Sequence, residues 1–345
     1  MLTGNKKYYI LFTALLLIAT VVFVDSSKIE KISKIEPISA PLSVAQYKTF
    51  HDELIALVNQ QDPRVALKYL DKSSQTNPAL LRSCHSLVHE IGRATYVRYG
   101  DFAKAMSYRN EECNSGFLHG VIEEALAKSP DPLEDVKYIC NSYGGETYLS
   151  WECYHGIGHG LMLVTENNLP RSITYCKEFQ THFMQDNCAN GVYMENFNTD
   201  QKVHVSHYLD PRDPFVPCET QPSEFQRLCY VYAPAYFLSL YPNQYDKALT
   251  WCLAAKNGNK DACISGVGSQ MMKEQLYNSS IVEGECDKTQ FGLRGVCIAG
   301  AATLLAYNYG RTDEAKAFCE TLSFFNRRPC LAALKAMDGN FAIPQ

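Results

Sequence analysis

Nowhere in the 345 residues do lysine and arginine gather into a run, and the net charge is only -5. Phosphate recognition needs a concentrated basic surface, so no nucleic-acid partner is expected. No stretch alternates apolar and polar residues with a sustained period of two, which removes half-buried strands and leaves an all-α reading. Several chemical motifs are missing as well. His89-Glu90 is followed by Arg93 where a zincin places its second histidine. Cys84-His85 lacks the upstream cysteine of a c-type haem site, and no Cys-x-x-Cys redox pair occurs. Gly156-x-Gly158-x-Gly160 has neither the dinucleotide-binding spacing nor a strand before it.

What the chain does have is fourteen regularly placed cysteines. The couples Cys176/Cys188, Cys218/Cys229, Cys252/Cys263, Cys286/Cys297 and Cys319/Cys330 are 12, 11, 11, 11 and 11 residues apart, and Cys140/Cys153 precedes them at 13. Such regularity implies one bridged unit copied many times. If all fourteen pair, no thiol nucleophile remains.

Lys6 and Lys7 precede an uncharged, apolar stretch of seventeen residues, Tyr8 to Val24, near the minimum for a membrane-spanning helix. Val22, Phe23 and Val24 are poor neighbours for a cleavage site, so residues 1–24 read as an uncleaved anchor in preference to a signal peptide. The two lysines set the N-terminus in the cytoplasm, and the folded body in an oxidising, extracytoplasmic compartment where disulfides persist. Residues 25–44 read as a tether, 45–338 as a helical repeat domain and 339–345 as a tail.

Aligned on the first cysteine, the copies read Val136-Lys-Tyr-Ile-Cys140, Ser172-Ile-Thr-Tyr-Cys176, Ala248-Leu-Thr-Trp-Cys252 and Ala315-Lys-Ala-Phe-Cys319. A compact residue four before the cysteine is helical spacing, with both positions on one face. The pattern runs upstream without its cysteine at Ala66 to Leu70 and Ala105 to Arg109. Two early copies therefore lack the first partner, and their leftover Cys84 and Cys113 are expected to bridge each other across adjacent copies. Anchor positions 70, 109, 140, 176, 218, 252, 286 and 319 recur with a mean step near 36, the mark of a two-helix solenoid unit. The expected fold is an α-solenoid of about eight disulfide-stapled helical hairpins, each bridge contributing ~2 to 3 kcal/mol by restricting the unfolded chain. Asp131-Pro132, Leu169-Pro170 and Thr312-Asp313 mark helix starts, and Asn196 to Pro217 reads as an inserted loop. Three residues past the second cysteine stand Gly116, Gly156, Gly191, Gly266, Gly300 and Ala333, small enough to let the paired helices approach beside the bridge.

The segment Asp246 to Cys263, with Ala254-Ala255-Lys-Asn-Gly258-Asn-Lys-Asp-Ala262, resembles a Sel1-type repeat, a relative of the tetratricopeptide unit. One disulfide per hairpin is similar to the Helicobacter cysteine-rich proteins of that group. The architectural resemblance covers residues 62 to 338, and it implies a concave surface that binds a protein or peptide.

Histidines concentrate in the first copies: His85, His89, His119, His155 and His159. His85/His89 and His155/His159 are i, i+4 pairs, the separation at which two imidazoles on one helical face share an ion. His119 and His159 fall at the same repeat position, with His89 and Glu90 level in the copy before and Met194 and Glu195 in the copy after. Imidazole and carboxylate ligands suit a divalent transition metal such as Zn, Cu or Fe. Glu90, Glu123, Glu124, Glu152 or Glu195 would hold the second ring nitrogens. Two other readings stand beside this one: histidines that only tie helix to helix, and a metal-free acid/base or ligand site. Gly156, Gly158 and Gly160 cost roughly 0.5 to 1 kcal/mol each against alanine, which points to something approaching the backbone closely. His204 and His207 in the inserted loop read as solvated, with a lid over the site as the alternative.

The expected function is a membrane-tethered, extracytoplasmic binding protein with a histidine-rich metal site. One rival is a metal-dependent hydrolase or oxidoreductase in which His119, His155 and His159 hold the ion and Glu90, Glu123 or Glu195 moves protons. The other is a structural envelope scaffold.

Overall fold

The computed structural model describes residues 41–337, apart from 111–112, 114, 146, 199–205, 276–277 and 310–311. The candidate anchor, the tether up to residue 40, His204 and the tail lie outside the described residues.

Asp62, Asn77, Asp101, Asp131 and Asn168 each cap a helix by accepting a hydrogen bond from a backbone N–H in its first turn. Pro63, Pro78 and Pro132 follow at the first helical position, where a missing N–H costs nothing. Among the described residues these signals open an array of seventeen helices with no strand. Helix α1 (Val44–Gln60) comes first. Eight pairs follow, each a shorter helix and a longer one: α2 (Pro63–Ser74) with α3 (Pro78–Tyr99), α4 (Phe102–Met106) with α5 (Gly116–Lys128), α6 (Pro132–Asp135) with α7 (Tyr148–Val164), and α8 (Leu169–Cys176) with α9 (His182–Asn198). The remaining pairs are α10 (Val216–Glu219) with α11 (Ser223–Leu240), α12 (Tyr245–Cys252) with α13 (Lys260–Glu274), α14 (Ser279–Cys286) with α15 (Phe291–Tyr309), and α16 (Asp313–Thr321) with α17 (Phe324–Met337).

Each long helix packs on the long helices before and after it, while each short helix packs on its own partner, which is the connectivity of an α-solenoid. Helix α1 covers the open end of the first pair with Leu54 and Val58 fully buried, and Arg98 of α3 donates to the carbonyls of Val58 and Gln61. Six disulfides staple the short element of a pair to its long helix. The seventh, Cys84–Cys113, crosses from the first pair to the second, as the two cysteine-poor copies require. Val136 with Cys140, Ser172 with Cys176, Ala248 with Cys252 and Ala315 with Cys319 are all buried, so the four-residue spacing does mark the inward face. The inserted segment starts later than its polarity suggests, because α9 continues to Asn198 with Asn196 buried and bonded to Ser206.

The glycines act differently from the expectation. A Cβ on Gly191 would lie 1.9 Å from the His155 carbonyl oxygen, and one on Gly158 would lie 2.2 Å from that of Cys188. Gly268 and Gly300 oppose each other likewise, at 2.0 Å from Cys297 O and Ser265 O, as do Gly92 and Gly120, at 2.1 Å from Phe117 O and 2.0 Å from His89 O. These residues open backbone contact between long helices of neighbouring pairs, not between the two helices of one bridged pair. Between α5 and α7 the fit is side chain into hollow: Ile122 and Leu126 fill the space over Gly156 and Gly160. The close approach implied by three glycines in α7 is therefore made by neighbouring helices, and those glycines are no argument for a ligand.

The array also meets itself. Tyr148 of α7 donates to the carbonyl of Tyr307 of α15 at 2.8 Å, and Trp151 stacks on the Tyr307 ring with centroids 4.6 Å apart. Helices 159 residues apart in sequence thus close the inner face beside the third pair.

Gly191→Ala should cost about 1 to 3 kcal/mol through overpacking, lowering the melting temperature by roughly 3 to 10 °C. Gly284→Ala, in α14 with open space around it, should leave stability unchanged or raise it by about 0.5 to 1 kcal/mol. Calorimetry of both variants checks the assignment, and equal melting temperatures would contradict it.

Candidate metal centre

All five histidines lie on the long helices of the first three pairs: His85 and His89 on α3, His119 on α5, His155 and His159 on α7. Helical phase turns each i, i+4 couple to one face, and the close crossings bring the three faces together. His119 stacks on His159 with centroids 4.9 Å apart, and stands 5.2 Å from His89 and 5.0 Å from His155. His119, His155 and His159 are 1 to 3% exposed, so the cluster is inside the array.

Outer partners fix most of the ring protons. His85 Nδ1 is 2.8 Å from the Cys113 carbonyl, which only accepts, so Nδ1 carries the proton. Cys113 holds that carbonyl in place with a left-handed backbone (φ 54°), a conformation that costs a residue with a Cβ about 1 to 2 kcal/mol. His89 Nδ1 lies 3.2 Å from Glu123, whose carboxylate also takes two hydrogen bonds from Arg93, at 2.6 and 3.0 Å. His159 Nδ1 donates to Glu195 at 2.7 Å, and His119 Nε2 to Glu152 at 3.1 Å.

The consequence is a set of inward lone pairs. His85 Nε2 and His89 Nε2 face each other at 3.1 Å, each with its proton committed to the far nitrogen. Two acceptors at that distance repel unless something positive lies between them. His155 Nε2 and His159 Nε2 stand 3.2 Å apart, and the Nδ1 atoms of His119 and His155 are both buried with no hydrogen-bond partner. Three groups have ligand atoms within 4.8 Å of one another: His85, His89 and His119; His119, His155 and His159; and Glu123, His159 and Glu195.

Burial keeps three of the five rings neutral. Burial pushes the imidazoles of His85, His119 and His155 well below their ordinary value, and neighbouring histidines add to the shift. Burial alone would raise the Glu123 carboxyl, but His89 and the Arg93 guanidinium outweigh it and hold Glu123 well below the usual carboxylate range.

Of the carboxylates singled out in the sequence, Glu123, Glu152 and Glu195 sit on ring nitrogens. Glu90 instead pairs with Arg93 at 3.5 Å and faces His51 at 3.8 Å, and Glu124 pairs with Lys128 at 3.6 Å. His207 is exposed, which suits a solvated loop. Three contributors went unseen in the sequence. The Cys113 carbonyl carries no sequence signal, and Trp151, stacked on His155 at 5.0 Å, reads as ordinary packing. Arg93 could have been found, being one helical turn beyond His89 on the same face.

A pH dependence follows. In the unfolded chain His85, His119 and His155 take up protons near pH 6.5, while the fold holds them neutral to lower pH. Their contribution to stability is complete above about pH 6.5 and is lost as pH falls towards the depressed folded values. The melting temperature of the metal-free chain should be level near pH 7.5 and drop by several degrees near pH 5.5. A flat calorimetric profile across that window would contradict the buried, neutral assignment.

Compared with protein-family models, curated proteins and solved structures, the chain matches none.

Proposed function

We propose that the chain is an extracytoplasmic metal-binding protein: a disulfide-stapled helical-repeat array, tethered to a membrane by residues 8–24, that holds Zn, Cu or Fe on His85, His89, His119, His155 and His159. The carrying observation is the His85/His89 pair, whose Nε2 lone pairs meet at 3.1 Å with both Nδ1 protons engaged elsewhere. An ion between them turns that repulsion into coordination. Imidazole ligands backed by carboxylates suit borderline metals, and with every described cysteine bridged no thiolate competes.

The anchor rests on the sequence of residues 8–24, because among the described residues no helix is long and apolar enough to cross a membrane. The seven disulfides favour the oxidising side. The likeness to Sel1-type repeats adds a peptide or protein on the concave face. Beside the cluster that face is filled by Trp151 and Tyr307, so an ion is the better supported ligand. The hydrolase or oxidoreductase reading has one feature in its favour: Glu195, with 24% of its side chain exposed, stands at the edge where a substrate would enter.

Elemental mass spectrometry of the chain made in an oxidising compartment should find at least one ion per chain. Replacing His85, His89, His155 and His159 together by glutamine should abolish binding while keeping the helical circular dichroism. No ion in either protein after exposure to Zn, Cu and Fe would overturn the proposal. Glu123→Gln should weaken metal affinity about 10- to 100-fold by releasing His89. Glu124→Gln, whose carboxylate pairs with Lys128, should leave affinity unchanged in competition with a chromophoric chelator.

A further inference from the structure

We infer that the histidine cluster is a two-ion centre: one ion on His85 and His89, a second on His155 and His159, with His119 between them. The inference rests on the metal-binding reading and extends it from one ion to two.

Five imidazoles are too many, and too spread, for one ion. Their ligand atoms do not form a single group; they fall into two trios, His85/His89/His119 and His119/His155/His159, that share only His119. Within each i, i+4 pair the separation suits one coordination shell. Zn–N bonds of 2.0 to 2.1 Å at a tetrahedral angle put neighbouring nitrogens about 3.3 Å apart. The observed Nε2 separations are 3.1 Å in the first pair and 3.2 Å in the second. The two trios are also alike in ring spacing. Centroids stand 4.6, 5.2 and 5.7 Å apart in the first and 4.9, 5.0 and 5.0 Å in the second.

Each pair has its own outer support. The Cys113 carbonyl and Glu123 orient the two rings of the first pair, and Glu195 orients His159 of the second, so neither pair depends on the other's hydrogen bonds. The rings of His89 and His159 approach within 5.6 Å, which sets the two ions a few ångströms apart. His119 keeps Nε2 on Glu152 and offers one lone pair, on Nδ1. It supplies a third ligand to one ion at a time, while the other ion keeps two. That asymmetry gives the centre one three-histidine site and one more open two-histidine site.

The test loads the full chain with Zn(II) and, separately, Cu(II), and counts ions per chain after gel filtration. Two ions are expected in the wild type, and one in each of His85→Gln/His89→Gln and His155→Gln/His159→Gln. Adding the second equivalent of Cu(II) should broaden or quench the paramagnetic resonance of the first, because the ions are close enough to couple. A single ion in the wild type, lost in both pair variants, would overturn the two-ion centre and leave the metal-binding reading standing. No ion in the wild type would overturn both. Should a pair variant fail to fold, the wild-type stoichiometry and the Cu(II) resonance at one and two equivalents decide the matter without it.

Discussion

At several crossings the long helices of this array meet backbone on backbone, and that constraint governs the rest. A glycine on one helix faces a glycine on the next at Gly92/Gly120, Gly158/Gly191 and Gly268/Gly300, where any side chain would collide with a carbonyl oxygen. Helices that approach so closely carry neighbouring side chains with them. His89 and His119 flank the first crossing, and His155 and His159 flank the second. The spacing of His89 and His119 is thus set by the glycines beside them.

The disulfides serve a different purpose. Six of the seven join a short element, often of one or two turns, to the long helix it rests on. Such short helices have little intrinsic stability, since nucleation is the costly step. The covalent link and the buried four-residue pattern hold them where propensity alone would not. The outer layer can therefore be thin, and the inner layer can spend its core volume on a polar cluster.

Much of the fold was legible because cysteine spacing is a strong, local signal: it marked the pairs, the inward face and the Cys84–Cys113 exception. Helical phase and repeat register likewise placed His119 beside His159. The glycines were misread because sequence shows only that a close approach occurs, and the neighbouring helix, not a ligand, makes it. The choice among Glu90, Glu123 and Glu195 depended on which helix each faces, which Arg93 decides for Glu123 and Glu90 together. Tyr307 was invisible for a further reason. Its contact with Tyr148 spans 159 residues and depends on the placement of three intervening pairs, a property of no single copy.

The Cys84–Cys113 bridge links oxidation to ligand geometry. Cys84 adjoins His85 in the chain, and the carbonyl of Cys113 selects which nitrogen of His85 bears the proton. With the cysteines reduced, nothing covalent keeps that left-handed residue in place, and the ring is free to turn or change tautomer. Maturation therefore has an order: the sulfurs must join before the imidazole of His85 is set, so the direction of its inward nitrogen is a property of the oxidised chain alone.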